Sequence, residues 1–508
     1  LFVAVPRLRR AAFRRYAIWA NRAWAWSMAV MTTLLTMGLD LTWFQRNPLP
    51  PYGGSVYRDQ WWHLAIVQEL MRSGPTQVPQ VAGELFSYHY NVHGHVVVAA
   101  QTTGISPTTI LFRLVLPPLV LVAAGLIAFL ASEVSRRTWT GPVAVWLTTL
   151  TLSGGYLWAE FGNLSRTPLR FGSPTQMLAV PLVMAAAWAL ILLVRASLPV
   201  WGWAWLGLIV IVGAGSKPTV VPTLLAGTLV ALVAVAATTR RFPRAIAIAA
   251  GGLVAVQLWA VVSGPDRETG LTVLGSLRLS SIFRDFSGDI TLRGTNDGLV
   301  LDSLATKAGA TAAAVTVIWL LGSQAIRLIG LTALAYPATR RDPAAWWLAG
   351  ALSAGWFAFL AFDLSSGGQL YFFHLALPFG AVLTSWMVVA AVDRFSVGRR
   401  IAYLCGGLAV GAAASIAAVS AVSVAIRSEA TGSIDRVLLP IAVVLSVAAV
   451  AAVGWRYLSG RLGLRSGWLA LALTFVIGIS LPTSLGEATS IVYRLSLIHI
   501  SEPTRLRL

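Results

Sequence analysis

Residues 370–392 read LYFFHLALPFGAVLTSWMVVAAV, a run that carries no charged side chain. About 20 predominantly apolar residues are enough to cross the hydrocarbon core of a bilayer as an α-helix. The run therefore predicts a transmembrane helix. By the same rule about thirteen segments qualify or nearly qualify: 23–44, 109–134, 140–158, 177–194, 202–215, 219–239, 245–263, 309–336, 343–363, 370–392, 401–426, 437–455 and 468–485.

The composition of the whole chain excludes a soluble protein. Of its 508 residues, 57% are hydrophobic and 11% are charged, and the mean hydropathy is +0.74. Soluble domains carry about 25% charged residues. We therefore predict an all-α fold, a polytopic transmembrane bundle of about 13 spans in the lipid bilayer. The lone Cys405 excludes an intrachain disulfide.

The net charge of +19 comes almost entirely from arginine, since Lys217 and Lys307 are the only lysines. The arginines fall in short clusters between apolar runs, so they indicate topology and not a nucleic acid partner. Basic residues precede the first span and follow every even-numbered one. The positive-inside rule places these clusters in the cytoplasm: Arg7 to Arg22, Arg136 and Arg137, Arg195, Arg240 to Arg244, Arg340 and Arg341, Arg394 to Arg400, and Arg456 to Arg465.

The opposite face receives most of the acidic residues and two long loops, 45–108 and 264–308. Long loops in compact proteins are either functional or disordered. The alternation of basic loops on one face with acidic loops on the other predicts a multi-pass protein of a bacterial plasma membrane whose active site faces outward.

We expect residues 1–494 to form one domain. The tail 495–508, LSLIHISEPTRLRL, resembles a translated sequencing adapter and is excluded as non-native, and Leu1 in place of Met suggests that the N-terminus is missing or processed.

The first outer loop predicts surface helices. The segment from Asp59 to Met71 has the pattern of an amphipathic helix with one polar and one apolar side, and Trp62 is suited to the membrane interface. Asp59 lies at the start of this helix, where a carboxylate serves either as a helix cap or as a functional group at the membrane surface.

An outward-facing aspartate in the loop after the first span, followed by surface helices, resembles the GT-C superfamily of polytopic glycosyltransferases. The resemblance is carried by Asp59 and His63 in YRDQWWHL, by YHYNVHGH at residues 88–95 and by TGISP at residues 103–107. It implies an inverting transfer of a sugar from a polyprenyl-phosphate donor to the hydroxyl of a glycan or lipid-linked acceptor. In that reaction Asp59 would be the general base. Asp40 is its rival for that role, and Asp363 is a further carboxylate near a span end.

The departing polyprenyl phosphate needs positive charge or hydrogen-bond donors on the outer face. Lys217 in GAGSKPTVVP lies between two apolar runs and is our candidate for this contact, with snorkelling to the headgroups as the alternative. Arg166 and Arg170 offer the same chemistry, or simple headgroup contacts. Gln369 and Tyr371 lie where a sugar could be hydrogen-bonded, although an aromatic belt also explains the tyrosine.

Histidines in the first outer loop form a further group of candidates. His63 and His89 are predicted to bind substrate. Together with His93 and His95 they could instead hold a divalent metal ion, the one possible cofactor, or hydrogen-bond within a packed loop. The spacing lacks a clear third ligand, so no metal site is assigned.

Two other functions remain open at this stage. A transporter or flippase of lipid-linked saccharides would concentrate ionisable residues at mid-membrane in broken helices, whereas this chain concentrates them at the outer surface. A polysaccharide ligase or polymerase would share the topology and differ in its acceptor.

Arg327, within the eighth span, is expected to snorkel or to pair inside the bundle. The Arg to Lys ratio and the Ala and Val content are typical of a GC-rich genome such as that of an actinobacterium, and a role in cell-envelope polysaccharide assembly would fit.

Overall fold

The structure is a computed structural model of the chain. It describes residues 22–39, 43–45, 47–49, 58–72, 77–79, 81–85, 89–149, 169, 171–262, 274–279, 283, 304–362, 368–427, 433–462, 467–482 and 485.

Helices make up nearly all of the described chain. They are α1 (Arg22–Leu39), α2 (Arg58–Arg72), α3 (Asn91–Thr103), α4 (Pro107–Ser135), α5 (Thr140–Thr149), α6 (Pro174–Val194), α7 (Val200–Ala214), α8 (Val220–Thr239), α9 (Arg244–Val262), α10 (Lys307–Ser323), α11 (Ala325–Leu334), α12 (Pro343–Ala361), α13 (Leu370–Val392), α14 (Val397–Arg427), α15 (Ser433–Leu462) and α16 (Trp468–Pro482). Single turns lie at Gly275–Leu279 and Pro337–Arg340.

The polytopic helical architecture predicted from the hydropathy is confirmed. Every predicted span coincides with a helix where it is described. Eight of these helices are long and apolar enough to cross a membrane, or up to nine if the pair α10 and α11, bent by 63°, is one span. Three more, α1, α7 and α16, are apolar but shorter, and residues 150–158 of the third predicted span lie outside the described residues. The total of about 13 spans stays a prediction.

Helix α13, which contains the charge-free run, forms the centre of the bundle. In the 18-residue apolar stretch of this helix, 94% of the residues are buried inside the protein. They are buried because α4, α5, α11 and α12 all pack against α13. Helix α12 packs in turn against α8. The two helices approach closely at Gly227, where a Cβ atom would lie 2.8 Å from the carbonyl oxygen of Trp347. Small residues at such crossings let helix backbones come together in a membrane.

One end of the bundle is held together by the predicted cytoplasmic loops. Arg195, after α6, forms a two-pronged salt bridge with Asp342, before α12, at 2.6 and 3.1 Å, and donates to the carbonyl of Val134 at the end of α4. Arg137, after α4, pairs with Asp393 at the end of α13 at 2.8 Å. The clusters that follow the second, fourth, eighth and tenth predicted spans therefore meet, as the counting of spans required.

Two arginines at this end adopt an uncommon backbone conformation. Arg136 follows α4 with φ of 57°, and Arg240 follows α8 with φ of 53°. Both are left-handed C-caps, a position that glycine normally occupies because it has no Cβ atom.

Arg327 is fully buried in α11, and the prediction that it pairs inside the bundle holds. Its guanidinium donates to the carbonyls of Leu147 and Thr148 at the end of α5, at 3.0 and 3.3 Å, and to the side chain of Gln324. The buried guanidinium therefore has its hydrogen-bond acceptors inside the bundle and ties α11 to α5.

The first outer loop contains the surface helix that the sequence predicts. Helix α2 begins one residue before Asp59 and ends one residue after Met71. A two-stranded antiparallel hairpin, β1 (Gln77–Val78) and β2 (Val81–Leu85), follows it and was not predicted. Helix α3 then packs against α2 and α6, which brings the histidine-rich segment back onto the bundle.

Candidate anion-binding site

Four segments predicted to lie on the outer face meet at one end of the bundle. They are the first outer loop, the start of α6, the turn between α7 and α8, and the start of α13. Tyr371 is the second residue of α13 and Asp393 follows its last residue, and the helix is about 34 Å long at 1.5 Å per residue. The meeting point therefore lies at the end of the bundle opposite the arginine clusters.

Lys217 is at the centre of this meeting point and is only 5% exposed. Its ammonium donates a hydrogen bond to Thr175 Oγ1 at 3.3 Å and lies 3.4 Å from His89 Nε2. It also sits 3.5 Å from the centroid of the Tyr371 ring. The ammonium is thus held inside the protein, and the side chain does not snorkel to the headgroups.

The first turn of α6 supplies further polar groups beside Lys217. Pro174 occupies the first helical position, where its missing N–H costs nothing. The Ser173 hydroxyl does not cap the helix and lies 3.3 Å from Thr175 Oγ1 instead. Gln176 is fully buried, and neither of its amide atoms has a hydrogen-bond partner among the described residues. A helix N-terminus with a cation and unsatisfied polar groups suits an anion.

Two buried histidines lie close to this lysine. His63 Nδ1, on α2, is 2.9 Å from His93 Nε2, on α3, and the two rings stack at 5.1 Å. We call them the imidazole pair. Burial, with a smaller contribution from the positive charge of Lys217, lowers the pKa of His63 to about 4. Burial also lowers the pKa of His93 to about 3, with a smaller contribution from His63 and an opposing one from the Tyr90 backbone. Both rings are therefore neutral at physiological pH.

Asp59 lies in the first turn of α2, one helical turn before His63. Residues four apart share a helix face, and His63 and Val67 on that face are buried against the bundle. The helix therefore turns Asp59 toward the bundle. A carboxylate in a first turn is also stabilised by the helix dipole, so the predicted capping role and a functional role are compatible.

The start of α13 contributes the other predicted residues. Gln369 is 1% exposed and precedes the helix, while Tyr371 provides the ring beneath the Lys217 ammonium. His374, one turn further along, is fully buried. The lysine contact gives Tyr371 a role beyond membrane anchoring.

The structure thus brings together Lys217, His89 and Tyr371, with His63 close by. Asp59 and Gln369 are placed by the elements described above. The remaining predicted residues lie outside the described residues, as does most of the loop 264–308: Arg166, Arg170, Asp40 and Asp363. Within the described ranges, no three His, Cys, Asp or Glu side chains are grouped so that they could hold one metal ion. His63 and His93 point ring nitrogens at each other, which suits a hydrogen bond.

Sequence reasoning did not select Thr175 or Gln176, and it considered His93 as a metal ligand or as a hydrogen-bonding residue of a packed loop. The signal for Thr175 was a serine and proline just before a long apolar run, which marks a helix start. Its contact with a lysine 42 positions away has no counterpart in a local pattern.

Comparisons with known proteins add little. No protein-family model matches the chain, and no curated protein matches it. Solved structures of ArnT from Cupriavidus metallidurans match it, one bound to undecaprenyl phosphate with 17% identity and a TM-score of 0.41, and one in the apo state with 16% identity and a TM-score of 0.39. Each match covers 93% of this chain and 78% of the ArnT chain. At these TM-scores the likeness carries no weight for family or function, which rest on the residues of the chain itself.

Proposed function

We propose that this protein is a membrane glycosyltransferase of the GT-C type. It moves a sugar from a polyprenyl-phosphate donor to the hydroxyl of a glycan or lipid-linked acceptor on the outer face of a bacterial plasma membrane, in assembly of the cell envelope. The observation that carries this proposal is the burial of Lys217, the strongest candidate for the phosphate contact, among Thr175, His89 and Tyr371.

Burying an ammonium costs several kcal/mol of desolvation free energy unless interactions with neighbouring groups or with a ligand offset it. Lys217 nevertheless brings a positive charge into this end of the bundle, beside the Thr175 hydroxyl and the Tyr371 ring. A positive charge that is largely shielded from water attracts an anionic ligand strongly. The polar first turn of α6 and the unsatisfied amide of Gln176 favour a phosphate group.

The reaction then follows from the arrangement of charge. The acceptor oxygen attacks the anomeric carbon, its proton passes to the Asp59 carboxylate, and the bond between that carbon and the phosphate oxygen breaks. The electron pair of the broken bond stays on the polyprenyl phosphate, where Lys217 stabilises the added charge. A single displacement of this kind inverts the anomeric configuration.

The test uses a strain that lacks the gene. We expect it to accumulate a lipid-linked sugar, which the wild-type protein clears and Asp59→Asn does not. Loss of a general base lowers the rate by about 100- to 10,000-fold. Glu69→Gln makes the same carboxylate-to-amide change on the same helix and should clear the lipid normally. Membrane levels of all three proteins are compared by immunoblot. Clearance by Asp59→Asn at the wild-type rate would remove Asp59 from the mechanism and move Asp40 forward.

A transporter of lipid-linked saccharides is the second candidate, because α10 and α11 form a bent pair of the kind that transporters use. However, the Arg327 side chain in that bend is occupied by carbonyl and amide oxygens and is fully buried. Purified protein in vesicles separates the two functions. A transporter moves the lipid-linked saccharide across the bilayer unchanged, whereas a transferase cleaves it.

A further inference from the structure

The turn between α7 and α8, which carries Lys217, is fastened to α3 by one side chain. Asn91, the first residue of α3, donates a hydrogen bond from Nδ2 to the carbonyl oxygen of Val212 at 2.9 Å. That carbonyl also accepts a bond from Ser216 Oγ at 2.7 Å. Asn91 therefore joins α3 to the last turn of α7, directly before the residues that lead to Lys217.

Gly215 shows how closely the Asn91 amide is packed on this turn. The backbone of Gly215 is right-handed, with φ of −74° and ψ of −8°, a conformation that alanine adopts without strain. However, a Cβ atom at this position would lie 2.6 Å from Asn91 Nδ2. The glycine thus makes space for the amide, and an alanine there would push the amide away from the Val212 carbonyl.

The segment that begins α3 also contacts the charged end of the lysine. His89 Nε2, two residues before Asn91, lies 3.4 Å from the Lys217 ammonium. A lysine stem is flexible, so the position of its ammonium depends on where the backbone of the turn is held. Asn91 holds that backbone against the same segment that His89 belongs to.

The first turn of α3 is tied on its other side to α2. His93 forms the imidazole pair with His63 of α2, with 2.9 Å between the two nitrogens. Asp59 lies one helical turn before His63 on the same helix. The start of α3 therefore connects the helix that carries the proposed base with the turn that carries the proposed phosphate contact.

We propose that Asn91 is a positioning residue of the transferase, which docks α3 on the end of α7 and thereby fixes Lys217 at a set place relative to α2 and Asp59. This inference rests on the proposed function. Asn91 acts through Lys217 and not on the reacting atoms. A misplacement of about 1 Å can lower a catalysed rate by about 100-fold, so a bond that fixes this turn matters more to the reaction than to folding.

Binding of farnesyl phosphate, a short polyprenyl phosphate, tests the proposal without the sugar or the acceptor. The probe is titrated by calorimetry into the purified full-length protein in detergent. Asn91→Ala should raise the Kd by roughly 2- to 10-fold, the effect of one lost hydrogen bond. Gly215→Ala should raise it to a similar extent, because its Cβ displaces the Asn91 amide. The double variant should bind no more weakly than Asn91→Ala, since both changes break the same contact.

Gly207→Ala is the matched control for the glycine change. Gly207 lies on α7, and a Cβ atom there would have no neighbour within 4 Å, so this variant should bind as wild type. In the strain that lacks the gene, clearance of the lipid-linked sugar should be slowed in Asn91→Ala and Gly215→Ala and normal in Gly207→Ala. The thermal unfolding of Asn91→Ala should change little, because Ser216 still donates to the Val212 carbonyl.

A second cycle separates positioning from a general structural role. If Asn91 acts through Lys217, adding Asn91→Ala to Lys217→Met should leave the Kd of Lys217→Met unchanged. The inference would be overturned, with the proposed function still standing, if the two effects multiplied or if Asn91→Ala bound the probe as wild type. If instead Lys217→Met itself binds farnesyl phosphate as tightly as wild type, phosphate does not bind at Lys217, and the proposed function fails together with the inference.

Discussion

Replacing Lys217 with methionine should weaken phosphate binding without destabilising the protein. Methionine keeps an unbranched apolar stem in the same buried slot and removes only the charge. Losing the charged partner of a buried phosphate costs about 2–4 kcal/mol, which is roughly a 30- to 700-fold increase in Kd. The expected Kd change refers to farnesyl phosphate, measured by calorimetry in detergent.

The effect on folding should be small. In the ligand-free protein the desolvation penalty of the ammonium is several kcal/mol. The bond to Thr175 and the ring contact with Tyr371, at 3.3 and 3.5 Å, are among the contacts that offset this penalty, and they return about 1.5–3 kcal/mol and about 2 kcal/mol at most. Because the penalty and these returns are of similar size, removing the charge should leave the midpoint of thermal unfolding nearly unchanged.

Arg195→Met provides the contrast from the other end of the bundle. It breaks the bridge to Asp342 and frees the Val134 carbonyl, so it should lower thermal stability and leave phosphate binding unchanged. A Lys217→Met protein that unfolds at lower temperature yet binds farnesyl phosphate normally would refute the reasoning, because it would show that Lys217 is structural.

Two further outcomes follow from the structure. Folding lowers the pKa values of the imidazole pair, so the associated stability is present above the unfolded-state pKa of about 6.5 and is lost as the pH falls toward 4. The loss is up to about 1.4 kcal/mol per pH unit for each ring. Thermal unfolding across this pH range should show a shallower loss of stability in His93→Asn, and an equal loss would exclude this origin. Gly227→Ala should lower the unfolding temperature, because its Cβ would lie 2.8 Å from the Trp347 carbonyl, whereas Gly251→Ala, with no atom within 4 Å, should not; equal stability of the two variants would show that the α8 and α12 helices can move apart freely.

The helical bundle was predictable because hydropathy sums over a window and needs no knowledge of contacts. Thirteen apolar segments of roughly the length of a span all coincide with helices where they are described. The number of crossings was less predictable. A short run such as 202–215 is apolar whether it crosses the membrane or only packs against it, and the bend between α10 and α11 depends on tertiary contacts of Arg327.

The candidate site was predictable only in part, for a related reason. Lys217 could be selected because an ionisable residue between apolar runs is costly, and Tyr371 because of its place at a span end. Their contact, and the contact of Lys217 with His89 128 positions away, arises from the packing of α3, α6 and α13. The hairpin of β1 and β2 was missed because its two strands are short and lack a clear alternation.

The arginines with left-handed backbone at the ends of α4 and α8 affect both the stability of the folded protein and its insertion into the membrane. A left-handed backbone costs a residue with a Cβ atom about 1 kcal/mol more than glycine, so a glycine at position 136 or 240 would relax the finished protein. It would also delete a positive charge from a loop that the positive-inside rule predicts to be cytoplasmic, where such charges orient the neighbouring helices during insertion. We therefore expect the arginines at these two positions to favour correct insertion at the expense of equilibrium stability, and a sequence optimised only for the folded state to differ at both.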